Sequence, residues 1–518
     1  MNTFTQRALY LIVGCQMIAA ITGQTIERFV SLNGTNDTAG GYTSWAGAAT
    51  GIQYAINVCV SGDVVWVSNG TYEVGTTVDA GVTNRVVINQ AITVRSLNND
   101  PTNTTIKGAV NIRPVYMVAN STLIGFTLTN GSFATTVSGG GLLGPTTTNA
   151  VASNCLINGN AGLVSASGGG VRYCTLYNCQ IVANTGVHGG GARNSVLYDC
   201  LVSGNLATNY GGGMRDCSAY GSTIISNTAW IDGGGGYGGG IMSNCTLSGN
   251  TAQGSGGGGS ICDLYDCRFI GNSAVANGGG VQAGSAYKLY NCIISNNISG
   301  DGGGVWAGSL YNCQLIGNSA TNYGGGVSAN ARLLNCLVKG NWATIEGGAA
   351  YQCKLTNCLV IGNAGRYGGV GGNWNLSMLY NCTLSGNSSA SGYPISRDST
   401  FVNCISWSNN NDKSYPDSGI SNYYSLSVGA AYTNGGLGGC ITNDPLFIAN
   451  GTGGYGTNLV PGNYRLQAGS PCINTGTNQG WMDGAVDLDG HLRLDHFSRQ
   501  VDMGAYEFLP AGTMFTVR

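Results

Sequence analysis

The chain has 518 residues, of which 88 are Gly and only 9 are Pro; charged residues make up 8% and the formal net charge is −2. Glycine without a G-X-Y period excludes collagen, a 42% hydrophobic share excludes a disordered chain, and near-neutral charge excludes a global field drawing the protein to nucleic acid or an anionic membrane. Such a length suits either two to four ordinary domains or one long repeat array.

Residues 1–23 read as an export signal: "MNTFTQR" carries one positive charge, "ALYLIVGCQMIAAI" is apolar, and small residues follow near Ala20 and Gly23. "IVGC" also resembles a lipoprotein box, which would place a lipid anchor on Cys15. No later stretch has 18 unbroken apolar residues, so no transmembrane helix is expected. Residues 43–60, "TSWAGAATGIQYAINVCV", put Ala48, Ile52, Ala55, Ile56 and Cys59 near one helical face, with Ser44 able to N-cap. Gly47 and Gly51 weaken that helix. Strand-like runs follow at 63–67, 91–96 and 122–131. Residues 24–138 are therefore expected to form an N-terminal helical cap and the first coils of a repeat.

From there one phrase recurs. In "C-x-x-x-x-N" the Asn residues fall at 160, 184, 205, 227, 250, 272, 297, 318, 341, 363, 387 and 409, which is 249 residues over eleven steps, about 22.6 each. Five residues earlier stands Cys155, Cys179, Cys200, Cys245, Cys267, Cys292, Cys313, Cys336, Cys358, Cys382 or Cys404, with Ser222 as the one replacement. An apolar residue such as Ile157 or Leu315 stands two after most of these, so Cys and the apolar residue share the buried face of a strand. The Asn then occupies a turn, where it tolerates the left-handed region. "LYNCTLSGN" (379–387) also fits a leucine-rich-repeat line, but the second half of each unit is Gly-rich with few helix formers. A unit of about 22 residues with two or three short strands is one coil of a right-handed parallel β-helix. Each coil pairs with the next at about 4.8 Å, so like residues stack, and no coil buries its own face alone. The regular repeats span 139–410. Cys174, Cys217, Cys262 and Cys353 form a second inward column. Stacked thiols are too widely spaced for disulfides and are expected to be buried and reduced; Cys440 and Cys472, outside the array, can pair.

Residues 29–72 resemble the N-terminal entry of β-helix proteins of the pectin-lyase-like superfamily. In the tail, 411–518, "DPLF" (444–447), "YRLQAGSPCINTG" (464–476), "DLDGHLR" (487–493) and "DMGAYEF" (502–508) resemble the choice-of-anchor Q domain of bacterial surface proteins. The resemblance implies an all-β solenoid, secreted or held at the cell surface. It also implies one enzymatic option, a polysaccharide lyase or glycoside hydrolase working with Ca²⁺-bound or clustered carboxylates.

Acids are sparse in the array. The residue before each Gly cluster is Ser167, His188, Tyr210, Tyr237, Asn277, Asp301, Tyr323, Glu346 and Tyr367 in successive recognisable copies. Asp301 and Glu346 would stand two coils apart, about 9.6 Å, at the wide end for an inverting glycosidase; as ordinary turn residues they would simply be solvated. The residue after "GGGV/A/M" is Arg172, Arg193 and Arg215 on three successive coils, later Trp306 and Tyr351. Stacked guanidinium groups repel unless anions or local acids such as Asp216 or Asp199 neutralise them. In the tail, "DLDG" offers Asp487 and Asp489 as alternate carboxylates for Ca²⁺, or as turn formers. The expectation is a monomeric, secreted or cell-surface β-helix that binds a polysaccharide, with acidic chains among the candidates, or mediates surface adhesion, with no cofactor requirement. The alternatives are the lyase or hydrolase and a purely structural spacer.

Overall fold

The computed structural model describes residues 25–509 except 80, 134–138, 164–167, 262, 372–376, 392–398, 411–420, 424, 428–440 and 495–497. The 1–23 segment, Cys15, Cys262 and Cys440, and with Cys440 its expected pairing with Cys472, lie outside the described residues.

One coil shows the plan. After the glycine corner 302–304, Val305–Trp306 enters sheet 1, Ser309–Tyr311 sheet 2, Gln314–Ile316 sheet 3 and Ser319–Ala320 sheet 4. Each short strand buries one side chain and leaves its neighbours outside, as Leu310 between Ser309 and Tyr311. Every strand of this coil pairs in parallel with its counterparts before and after. Leu310, for example, sits opposite Leu289 and Leu333, and Leu315 opposite Ile294 and Val338. The sheets reach 12, 17, 16 and 12 strands. One apolar core runs from Val30 to Cys404, so the array is a single all-β parallel solenoid. The segments expected to be helical in a leucine-rich repeat are strands here.

The asparagine column is one continuous ladder. Asn318 Nδ2 donates to the carbonyl of Ile294 and to Oδ1 of Asn341, each at 2.9 Å. Its own Oδ1 accepts the backbone N–H of Asn297 at 3.0 Å and the Asn297 amide at 2.9 Å. The same pattern passes from Asn160 through to Asn409. The ladder Asn is not the left-handed residue; the residue before it is, for example Gly317 (φ 64°) or Ala183 (φ 54°). Asn is required for its side chain, which satisfies buried backbone groups across the turn.

All sixteen described cysteines are free and buried. Cys313 shows why they fit: its thiol donates to the carbonyls of Tyr311 and Leu289 at 3.3 and 3.4 Å. Burial pushes Cys217 and Cys353 up to about 12.

The helix expected over 43–60 is confined to α1, Ile52–Ile56. Ser44 Oγ accepts the N–H of Gly47 in a turn, and Ala49 is bridged to Val30 as part of the first coil. Gly47 and Gly51 leave that turn and bridge cheaper than a continued helix. At the other end, the tail packs a core of Phe447, Tyr464, Leu466, Cys472, Met503 and Tyr506 onto the outer face of sheet 3, at Leu359, Ile361 and Ile405.

Candidate functional site

The site is built on the glycine corner. Gly211 has φ 71°, open to glycine and costly for other residues. A Cβ on Gly190 would lie 2.4 Å from the carbonyl oxygens of Leu206 and Gly212. The corner is therefore thin, and the outward side chains before and after it lie side by side along the solenoid.

After the corner, Val171, Ala192 and Met214 point inward and Arg172, Arg193 and Arg215 outward, paired in register. Arg172 donates to Tyr173 Oη at 2.6 Å and lies 4.3 Å over that ring. Arg215 is 3.2 Å from the Asp216 carboxylate and lies near the rings of Tyr210 and Tyr237, at 5.4 and 5.5 Å. Arg193, between them, has buried Nε and Nη1 atoms with no hydrogen-bond partner among the described residues. Burial first, then the charges of Arg172 and Arg215, push Arg193 down from its ordinary value; a guanidinium starts so high that it stays charged. His188 stacks on Tyr210 at 5.7 Å. It is pushed down to about 4, first by burial and then by Arg215 and Arg193, so it is neutral at pH 7. The result is a band of three cations walled by aromatic rings, in which Arg215 is salt-bridged to Asp216. Asp199 is not on this column; it forms the left-handed corner before Cys200.

Two further placements differ from expectation. Tyr237 is not a residue before the corner: it pairs with Arg215 on the arginine column. Asp232 takes the corner place, its carbonyl accepting the N–H of Gly211. "IDGGGGYGGG" contains two glycine runs, and the chain turns at the first. Trp306 and Tyr351 do lie on the arginine column, but four and six coils beyond Arg215, roughly 19 and 29 Å at the spacing of paired strands. They do not share a subsite with the arginines. Tyr351 stacks on Tyr323 at 4.6 Å.

Asp301 and Glu346 occupy the corner column on either side of Tyr323. Asp301 Oδ1 accepts the N–H of Tyr323 at 3.2 Å, and Glu346 is buried. Asp301 thus holds the turn of the next coil.

In the tail, ligand atoms of Asp487, Asp489 and His491 lie within 4.8 Å of one another. The donors do not fit a Ca²⁺ cage. Asp487 already accepts the N–H groups of Asp489, His491 and Glu507, and both oxygens of Asp489 are held by Arg465. Asp502 likewise accepts the N–H groups of Asn474 and Phe508, and the buried Arg493 pairs with Glu507 at 2.7 Å. The acidic tail motifs organise loops.

Sequence reasoning missed a tyrosine column on sheet 2. Tyr177, Tyr198 and Tyr220 stack at 4.9 and 5.1 Å, and Tyr265, Tyr290 and Tyr311 at 5.2 and 4.8 Å. The signal was present: each stands two residues before a column Cys or Ser222.

No protein-family model matches the chain, and no curated protein matches it in sequence. Among solved structures it is similar to pectate lyase Pel9A (13% identity, 93% of this chain and 96% of that one, TM-score 0.23). It is also similar to the A-module of the Azotobacter vinelandii mannuronan C-5 epimerase AlgE6 (15%, 64% and 92%, 0.29). A PL6 alginate lyase in complex with trisaccharide is a further match (10%, 78% and 86%, 0.28). Likenesses this low carry nothing about function; the parallel β-helix rests on the strand pairing itself.

Proposed function

We propose that this protein is a monomeric, secreted or cell-surface β-helix that holds an acidic polysaccharide along its glycine corner without cleaving it. The observation that carries the reading is the arginine column itself: three guanidinium groups paired in register on consecutive coils, flanked by the rings of Tyr173, Tyr210 and Tyr237. Guanidinium forks suit the carboxylates or sulfates of such a chain. Trp306 and Tyr351, farther along the same column, offer ring surface to a polymer long enough to reach them. Binding rather than cleavage is favoured because Asp301 is engaged in its turn and the coil repeats are uninterrupted around it.

A glycan array run beside a product-release assay tests this. Wild type should bind uronate or sulfated polymers and release no unsaturated or reducing ends. The Arg172→Ala/Arg193→Ala/Arg215→Ala protein should keep its melting temperature and bind at least tenfold more weakly. Binding should fall with salt as exposed charges are screened beyond about 8–10 Å. Equal binding by the triple variant would leave the column as ordinary surface and favour the spacer. Surface placement rests on the export-like first 23 residues and the tail's likeness to an anchoring domain; fractionation of expressing cells checks it.

A further inference from the structure

A separate feature lies on sheet 2, away from the arginine column. Strands Ser309–Tyr311, Arg332–Leu334 and Lys354–Thr356 run side by side. Each buries its central Leu, Leu or Leu respectively, so Arg332 and Lys354 are outward neighbours in one column and Tyr311, Leu334 and Thr356 in the next. The tail crosses above them, tied down by a hydrogen bond from Asn357 Nδ2 to the carbonyl of Val486 at 2.8 Å. Between tail and sheet is a cleft of about 510 Å³, within the roughly 300–1,000 Å³ range of small-ligand sites.

Its walls have a consistent chemistry. Trp481 contributes the tail side, its indole N–H donating to Gln479 Oε1 at 2.7 Å, which fixes the ring. The turn that follows is braced by Asp487, whose carboxylate accepts the N–H groups of Asp489 and His491. On the sheet side stand Tyr311, Arg332 and Lys354, and among the described residues no acid lines the cleft. Neither cation has a carboxylate partner among the described residues; Lys354 lies 4.8 Å over the Tyr380 ring. Within the Tyr265–Tyr290–Tyr311 stack, ring faces are covered by neighbouring rings. The run stops at Tyr311 because the next member is Leu334. Tyr311 is thus a terminal ring, and it lines the cleft.

We propose that this cleft binds the end of an anionic sugar chain, with a sugar ring between Tyr311 and Trp481 and its carboxylate or sulfate on Arg332 and Lys354. The inference shares with the function above only the acidity of the ligand; its residues are separate, so the two fail separately.

Calorimetric titration with a uronate disaccharide, a sulfated disaccharide and a neutral disaccharide tests it. Wild type and the triple arginine variant should bind at least one anionic disaccharide equally, and the neutral one at least tenfold more weakly. Arg332→Gln/Lys354→Gln should lose at least tenfold with an unchanged melting temperature, since both side chains are exposed. Trp481→Ala should lose affinity too, and Trp481→Phe should retain most of it. Which anionic disaccharide binds tells carboxylate from sulfate. No binding of either anionic probe, equal binding by the double Gln variant, or loss in the triple arginine variant alone would overturn the proposal.

Discussion

Replacing Asn318 by Ala removes one rung of the buried ladder and nothing else of size. Four side-chain hydrogen bonds disappear: two donated, to Ile294 O and Asn341 Oδ1, and two accepted, from Asn297 N and Nδ2. Asn318 is fully buried, so water does not replace them. At about 1 kcal/mol net each the loss is about 4 kcal/mol, and the orphaned Asn297 N–H and Ile294 carbonyl push it upward. Against the 5–15 kcal/mol that typically stabilises a domain, this is a large fraction. In a solenoid the damage should localise, because each coil contacts only its neighbours. Urea unfolding followed by circular dichroism should show a lower midpoint or a separated early phase. Hydrogen exchange should show the Asn297 amide losing most of its protection while amides near Asn184 keep theirs. Asn297→Ala combined with Asn318→Ala should cost about 1 kcal/mol less than the sum, because the two share the Asn297 Nδ2 to Asn318 Oδ1 bond. An unchanged midpoint with full protection at Asn297 would refute the claim that the ladder is a principal source of stability.

Three other outcomes are expected. Ellman titration of denatured, unreduced protein should find most of the eleven column cysteines free, while native protein reacts slowly because they are buried; near-complete oxidation would contradict the coil geometry. His188 is depressed to about 4 from 6.5 by burial and the arginines, so the unfolded chain binds the extra proton between those values and this group's contribution to stability falls as pH drops through that window. A bound sulfated polymer offsets the arginine charge and raises the His188 value, so affinity should rise as pH falls from about 6.5 toward 4; a profile identical to that of His188→Gln would rule this out. Chelator or added Ca²⁺ should shift the melting temperature by less than about 1 °C, because Asp487 and Asp489 are already occupied by protein donors; a larger drop with chelator would show a resident ion.

Whatever repeats in this chain can be read from its residues alone. A column of Cys and Asn at a near-constant interval is legible because each coil is the template for the next: the same residue meets the same neighbour eleven times over. The solenoid, the buried thiols and the outward arginine column all follow from period and alternation alone. Three things were decided only in the folded chain. The 43–60 segment has helical periodicity, yet the pull of Val30 on Ala49 and two glycines cut the helix to Ile52–Ile56. The doubled glycine run at 233–240 left two possible corners, and only the pairing of Met214 with Gly236 chose between them, moving Tyr237 beside Arg215. The cleft of Tyr311, Arg332, Lys354 and Trp481 joins residues up to 170 positions apart. No local pattern marks such a contact, because it exists only where a tail without repeats folds back onto coils that have them.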